Sequence, residues 1–119
     1  MYKRQPQSRR ESAALLARWL GAEHDRPWVI TGDLNATPTS APLRVLHEAG
    51  WADTLPIDAG GTEHAFTGHQ DRKRIDYVLT GPGVRSTSAW IGHERPRGRL
   101  PSDHWPVIAD LVQAESNQP

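Results

Sequence analysis

Cysteine is absent from this chain of 119 residues, which excludes disulfides and thiolate metal sites and leaves the redox compartment open. Net charge is absent as well. Fourteen basic residues balance 14 acidic ones, so no global field draws the molecule to nucleic acid or to an anionic membrane, although a local basic patch is not excluded. Long apolar runs are missing, and nothing in the sequence is long enough to span a bilayer. The basic start, Met1-Tyr2-Lys3-Arg4, has no apolar stretch behind it of the kind a signal peptide needs. The expectation is a soluble chain, cytoplasmic by default, with its compartment otherwise undetermined. Phenylalanine occurs once, against five tryptophans. Trp19, Trp28, Trp51, Trp90 and Trp105 are scattered, as core and rim packing would place them. No repeat or low-complexity segment divides the chain, and its length suits one domain that buries about two-thirds of its unfolded surface.

What is present is an alternation of helix and strand signals. Ser8 and Glu11 stand at capping-box spacing, so a helix is expected to begin near Arg9 and stop at Gly21. Ser12, Leu15, Leu16, Trp19 and Leu20 would form its inward stripe. Trp28-Val29-Ile30-Thr31 reads as a buried strand that empties into Gly32-Asp33-Leu34-Asn35. The Thr37–Ser40 loop offers a cap for a second helix through Leu43, Val45, Leu46 and Ala49, closed by Gly50. Residues 51–55 and 63–67 carry fainter strand signals, separated by Gly60-Gly61. Residues 74–80 and 84–91 carry stronger ones. A Gly/Pro/Arg-rich loop covers 92–101, the last strand is expected over 104–112, and the polar tail 113–119 is expected to fray.

The last strand is apolar on both faces. Trp105, Val107, Ala109 and Leu111 point one way, while Pro106, Ile108 and Val112 point the other, with Asp110 among them. A strand open to water on one side alternates more cleanly, so this sheet is expected to be covered on both sides. The two helices shield one face only. A broad apolar face is therefore expected to remain uncovered and to act as an interface.

Three segments place polar groups at the ends or on the interior of predicted strands. In Gly32-Asp33-Leu34-Asn35 the acid and the amide are two apart, so both side chains leave an extended backbone on the same side. In Arg74-Ile75-Asp76-Tyr77-Val78-Leu79 an acid interrupts an apolar strand, and a buried carboxylate needs a partner. In Ser102-Asp103-His104-Trp105-Pro106-Val107 an acid adjoins an imidazole at the mouth of a strand. Each has an ordinary structural reading taken singly: a turn, a structural acid, a loop. Three acids, one amide and one imidazole at the ends of three core strands are not explained by chance turns. The remaining histidines, His24, His47, His64, His69 and His93, show no ligand spacing and read as surface or loop residues. Arg72-Lys73-Arg74 and the arginines of 95–99 read as solvated loop charges that flank two of these segments, with a role in holding an anionic substrate as the alternative.

Gly32-Asp33-Leu34-Asn35, Arg74-Ile75-Asp76-Tyr77 and Ser102-Asp103-His104-x-Pro106-Val107, in this order, resemble the endonuclease/exonuclease/phosphatase family, which includes DNase I-like nucleases, inositol polyphosphate phosphatases and sphingomyelinases. The resemblance spans Trp28 to Leu111. It implies a metal-dependent phosphoester hydrolase, a phosphodiesterase or phosphomonoesterase, using Mg²⁺ or Mn²⁺. Asp33 would orient or deprotonate the attacking water or act on the leaving oxygen, and Asn35 would donate its amide to the phosphate. Asp103 would approach the cation. His104 would contact the phosphate, with Asp76 holding its ring, and Arg74 is a further candidate for substrate binding. Charge developing on phosphoryl oxygens is best met by a hard cation and positioned donors, and carboxylate and amide oxygens suit Mg²⁺.

The family's fold is a four-layer α/β/β/α sandwich in chains of about twice this length. The resemblance implies that this chain is its C-terminal half: an α/β (α+β) unit, one mostly antiparallel sheet with two helices on one face. The N-terminal half, which would supply an Asn, a metal-binding Glu and a catalytic His, has no counterpart among these residues. A fragment of a longer reading frame, a split enzyme completed by another chain, and a homodimer remain alternatives. So does a non-catalytic module that keeps the fold and binds phosphate, nucleic acid or a partner. Whether the phosphoester is nucleic acid, phospholipid or inositol phosphate is not distinguishable, because no diagnostic motif stands in the loops 56–61 and 92–101.

Overall fold

Helix α1 (Pro6–Gly21) and helix α2 (Ala41–Glu48) pack together on one face of a three-stranded antiparallel sheet. That sheet has the order β1 (Val29–Asp33), β3 (Asp76–Thr80), β2 (Ala52–Asp53). A second antiparallel sheet pairs β4 (Val84–Ile91) with β5 (Val107–Gln113). The molecule is a computed structural model, and it describes residues 6–21 and 26–113. His24 and residues 114–119 of the expected frayed tail lie outside them, as do the side chains of Ser8 and Trp19. The class is the mixed α/β one expected, with helices and antiparallel strands, but the strands divide between two sheets instead of sharing one.

Helix α1 starts earlier than the capping-box spacing implied, at Pro6, where a missing N–H costs nothing. Among its described side chains the buried ones are Ala13 and Ala17, with Leu16 packed beside them, whereas Leu15 is largely exposed. Two alanines one turn apart let α1 approach α2 closely, which a stripe of leucines would not. Helix α2 presents Leu43 and Leu46 to the same core, where they meet Ile30 of β1 and Tyr77 and Leu79 of β3. Ser40 precedes α2, but its hydroxyl donates to the Thr37 carbonyl (2.6 Å) and caps no helical amide.

The ladder between β1 and β3 places Val29 opposite Thr80, Thr31 opposite Val78, and Asp33 opposite Asp76. Residues 63–67, read as a faint strand, form none; a single bridge joins Glu63 to His104. The segment 60–64 instead runs as a strap with Gly61, Thr62 and His64 buried. Gly61 lies so close to the Arg72 backbone that a Cβ would collide with it, which is why the position requires glycine.

In the β4–β5 ribbon, Ile91, Ala89 and Val107 turn inward with Leu55 and Trp105 to form a second small core. Trp90, Ile108 and Val112 share the outward face, and Trp90 is 45% exposed. The expected broad apolar face is narrower than the sequence implied, because the Ser88 hydroxyl donates to Asp110 (2.7 Å) in its middle. Among the described residues β1 and β2 are the edges of their sheet, and β4 and β5 each have one unpaired edge. No described helix is long and apolar enough to cross a membrane.

Candidate active site

Strand β1 ends because Asp33 turns its own chain: its Oδ1 accepts the Asn35 amide at 2.8 Å, the local bond that Asp favours at a turn. Asn35 then adopts φ +51°. The expectation that both side chains leave an extended strand on one side is thereby corrected, since the extended backbone stops between them. Tyr77 secures the next residue, donating its hydroxyl to the Ala36 carbonyl (2.6 Å). Burial, opposed by the Arg74 charge and helped by Asp53 and Asp76, pushes the Tyr77 pKa well up. The hydroxyl therefore stays neutral and remains a donor.

Asp33 and Asp76 are direct partners across the β1–β3 ladder, an arrangement of like charges that destabilises unless something positive lies between them. His104 supplies one such group. Its Nδ1 stands 2.7 Å from Asp76 Oδ2, and because a carboxylate only accepts, that bond requires Nδ1–H. Burial alone would lower the His104 pKa. The hydrogen bond to Asp76, with the charges of Asp76, Asp103 and Asp33, outweighs it and holds the imidazole above its ordinary range. Nε2 is left facing Asp103, whose Oδ1 is 3.9 Å away.

Asp33, Asp76 and His104 each offer one ligand atom, and these atoms lie within 4.8 Å of one another. The structure thus brings together an acid from each of two strands and the imidazole that leads into a third. Two hollows flank the cluster. Asp33 and Asn35 line one of about 300 Å³ beneath α1 and α2. Asp76 and His104 line an open groove of about 570 Å³ with Thr31, Val78, Pro101 and Trp105. Three carboxylates in and beside the cluster form a set of hard oxygen donors that fits a hard divalent cation.

Arg74 is placed differently from its expected role in substrate binding. It is 4% exposed, with its NH2 group on Asp53 Oδ2 (2.7 Å) and on the Pro56 carbonyl (3.2 Å) and its guanidinium 5.0 Å from the centre of the Tyr77 ring. Its charge is spent inside the fold. His64, read as a surface residue, is fully buried with its ring 4.6 Å from that of Trp105, while His47, His69 and His93 are exposed. Thr62 carries no sequence signal of its own. It is fully buried, and its Oγ1 accepts the amides of Ile75 (3.0 Å) and Asp76 (3.2 Å). The one local signal was the Gly60-Gly61 pair before it, which marks a close backbone approach as readily as a break.

A family model for the Endonuclease/Exonuclease/phosphatase family matches residues 2–104. No curated protein matches the chain. Among solved structures, an endonuclease/exonuclease/phosphatase family protein from Bacteroides thetaiotaomicron superposes with a TM-score of 0.78 at 23% identity, over 93% of this chain and 46% of its own. A mannosyl-6-phosphatase of the same organism gives 0.74 at 26% identity, over 89% of this chain and 46% of its own. An endonuclease/exonuclease/phosphatase from Bacteroides vulgatus gives 0.70 at 29% identity, over 90% and 44%. The chain therefore spans slightly less than half the length of these relatives.

Proposed function

We propose that this chain, which belongs to the endonuclease/exonuclease/phosphatase family, forms the phosphate-contacting part of a metal-dependent phosphoester hydrolase. The observation that carries the reading is the meeting of Asp33, Asp76 and His104 within 4.8 Å at the ends of core strands. A phosphoester is attacked by water, which places negative charge on the non-bridging and leaving oxygens. His104, when protonated, donates through Nε2 to a non-bridging oxygen, and Asp76 keeps its ring in place. Asp33 accepts a proton from the attacking water, or orients that water, and the Asn35 amide donates to the phosphate. Asp103, with Asp33 and the free oxygen of Asp76, would hold Mg²⁺ or Mn²⁺. When bound, such an ion stabilises the developing phosphoryl charge and lowers the pKa of water. The mannosyl-6-phosphatase among the structural relatives makes a sugar phosphomonoester the first substrate to try.

A second reading has its own support. Among the described residues only three ligand-bearing side chains converge, few for a cation that demands near-octahedral oxygen coordination. On that reading this chain alone binds phosphate without turning it over, and full activity needs a second half or a second copy. Release of phosphate from mannose 6-phosphate, and of nitrophenol from bis(4-nitrophenyl) phosphate, separates the two. Under the hydrolase reading release needs Mg²⁺, stops with chelator, and falls by about 10²–10⁴-fold in His104→Gln. Release untouched by chelator and by His104→Gln rejects it. Phosphate binding with no release supports the second reading.

A further inference from the structure

Between β2 and β3 the strap 60–64 makes no strand, yet its central residue, Thr62, is fully buried and bonded on every side. Its amide donates to the Lys73 carbonyl (3.0 Å), and its carbonyl accepts the Trp105 amide (2.6 Å). Its Oγ1 accepts two amides, those of Ile75 (3.0 Å) and Asp76 (3.2 Å). On its C-terminal side the His64 amide donates to the Asp103 carbonyl (2.8 Å), and Glu63 is bridged to His104. The side chain of Thr62 thus grips the backbone that carries Asp76, while its main chain grips the residue that follows His104.

These two attachments differ in what they ask of the sequence. Any residue but proline makes the main-chain bonds, but the two amides need an acceptor oxygen on a short side chain, which here is the Thr62 hydroxyl. Removing that oxygen leaves the Ile75 and Asp76 amides without the acceptor they share, in a region where an unpaired buried donor is costly. The start of β3 would then turn to find other partners and carry the Asp76 carboxylate with it. The Asp76–His104 bond, at 2.7 Å, has little slack for such a turn.

We infer that Thr62 is a positioning residue, whose hydroxyl fixes the Asp76 backbone so that its carboxylate holds His104 in the Nδ1–H form. The kinetic consequence rests on the hydrolase reading; the geometric claim does not. Thr62→Val keeps the branched shape and deletes the acceptor, and Thr62→Ser keeps the hydroxyl. Long-range ¹H–¹⁵N spectra of the imidazole rings, taken where His104 is neutral, read its tautomer. The unaltered chain and Thr62→Ser are expected to show Nδ1–H, and Thr62→Val a mixture of tautomers with helix and strand content retained. In hydrolysis assays kcat of Thr62→Val falls by about 10–100-fold at unchanged KM and recovers in Thr62→Ser. An unchanged His104 tautomer in Thr62→Val overturns the inference, as does Thr62→Ser behaving like Thr62→Val. If Thr62→Val does not fold, amide exchange in the unaltered chain decides. Slow exchange at Ile75 and Asp76 supports the inference, and exchange there as fast as in exposed loops overturns it. Absence of hydrolysis by the unaltered chain counts against the hydrolase reading alone, and the tautomer still decides on Thr62.

Discussion

His104 and Asp76 hold one another in a bond that requires a proton on Nδ1, so their chemistry is coupled to stability. The folded-state pKa of His104 lies above its ordinary 6.5; the folded chain therefore binds that proton more tightly than the unfolded chain does. The stabilisation is fully present below about pH 6.5 and is lost as pH rises through the folded pKa. Urea midpoints of the metal-free chain are expected to fall over that window, and Asp76→Asn to flatten the dependence. A midpoint that rises there would show the opposite linkage. Asp33 gives a prediction of opposite sign in two conditions. At pH above the His104 transition, where no positive charge lies between the two acids, Asp33→Asn relieves the like-charge pairing with Asp76, so the metal-free chain should gain up to about 0.2–1 kcal/mol, at the lower end because Asp33 is exposed. The same variant should bind Mg²⁺ more weakly by titration calorimetry, since it loses a charged oxygen donor.

At the scale of elements, the site is held by attachments between segments that follow no common period. Tyr77 ties β3 to the turn after Asn35 through its bond to the Ala36 carbonyl. Tyr77→Phe keeps the ring and removes the donor, and is expected to cost about 1–3 kcal/mol in urea unfolding. Arg74 ties the start of β3 to β2 through Asp53, with 3% and 12% of the two side chains exposed. Asp53→Ala leaves the guanidinium buried without its counter-charge, and about 3–5 kcal/mol of destabilisation is expected. That is a large share of the roughly 5–15 kcal/mol that holds a domain together. A loss below 1 kcal/mol in thermal or urea unfolding would show that Arg74 finds water or another partner.

The whole molecule is flat for its length. Its radius of gyration is 15.5 Å and its extents are 53 × 33 × 22 Å, against about 13 Å for a compact chain near 100 residues. Flatness leaves Val29, Trp90 and Val112 at the surface beside strand edges that lack a neighbour among the described residues. Exposed edges of this kind template pairing. The isolated chain is expected to show a concentration-dependent sedimentation coefficient, and dye binding that vanishes on pairing. A strictly monomeric chain with no dye-binding surface would refute the need for a second half or a second copy. Calorimetry bears on the same question, since three convergent ligand side chains predict Mg²⁺ binding weaker than micromolar.

Local chemistry determined a good deal. The expected strand at 84–91 is β4, and each polar segment, around Asp33, Asp76 and Asp103-His104, stands at or just before the end of a strand. These signals are short-range: a period, a cap, or an acid where an apolar strand runs out. Tertiary structure alone decided that Asp33 lies opposite Asp76, that Arg74 turns inward to Asp53, and that α1 buries alanines in place of Leu15. The strap was invisible for the same reason. Thr62 has no periodic neighbour, and its meaning resides in bonds to Ile75, Asp76 and Trp105, partners that only chain closure brings within reach.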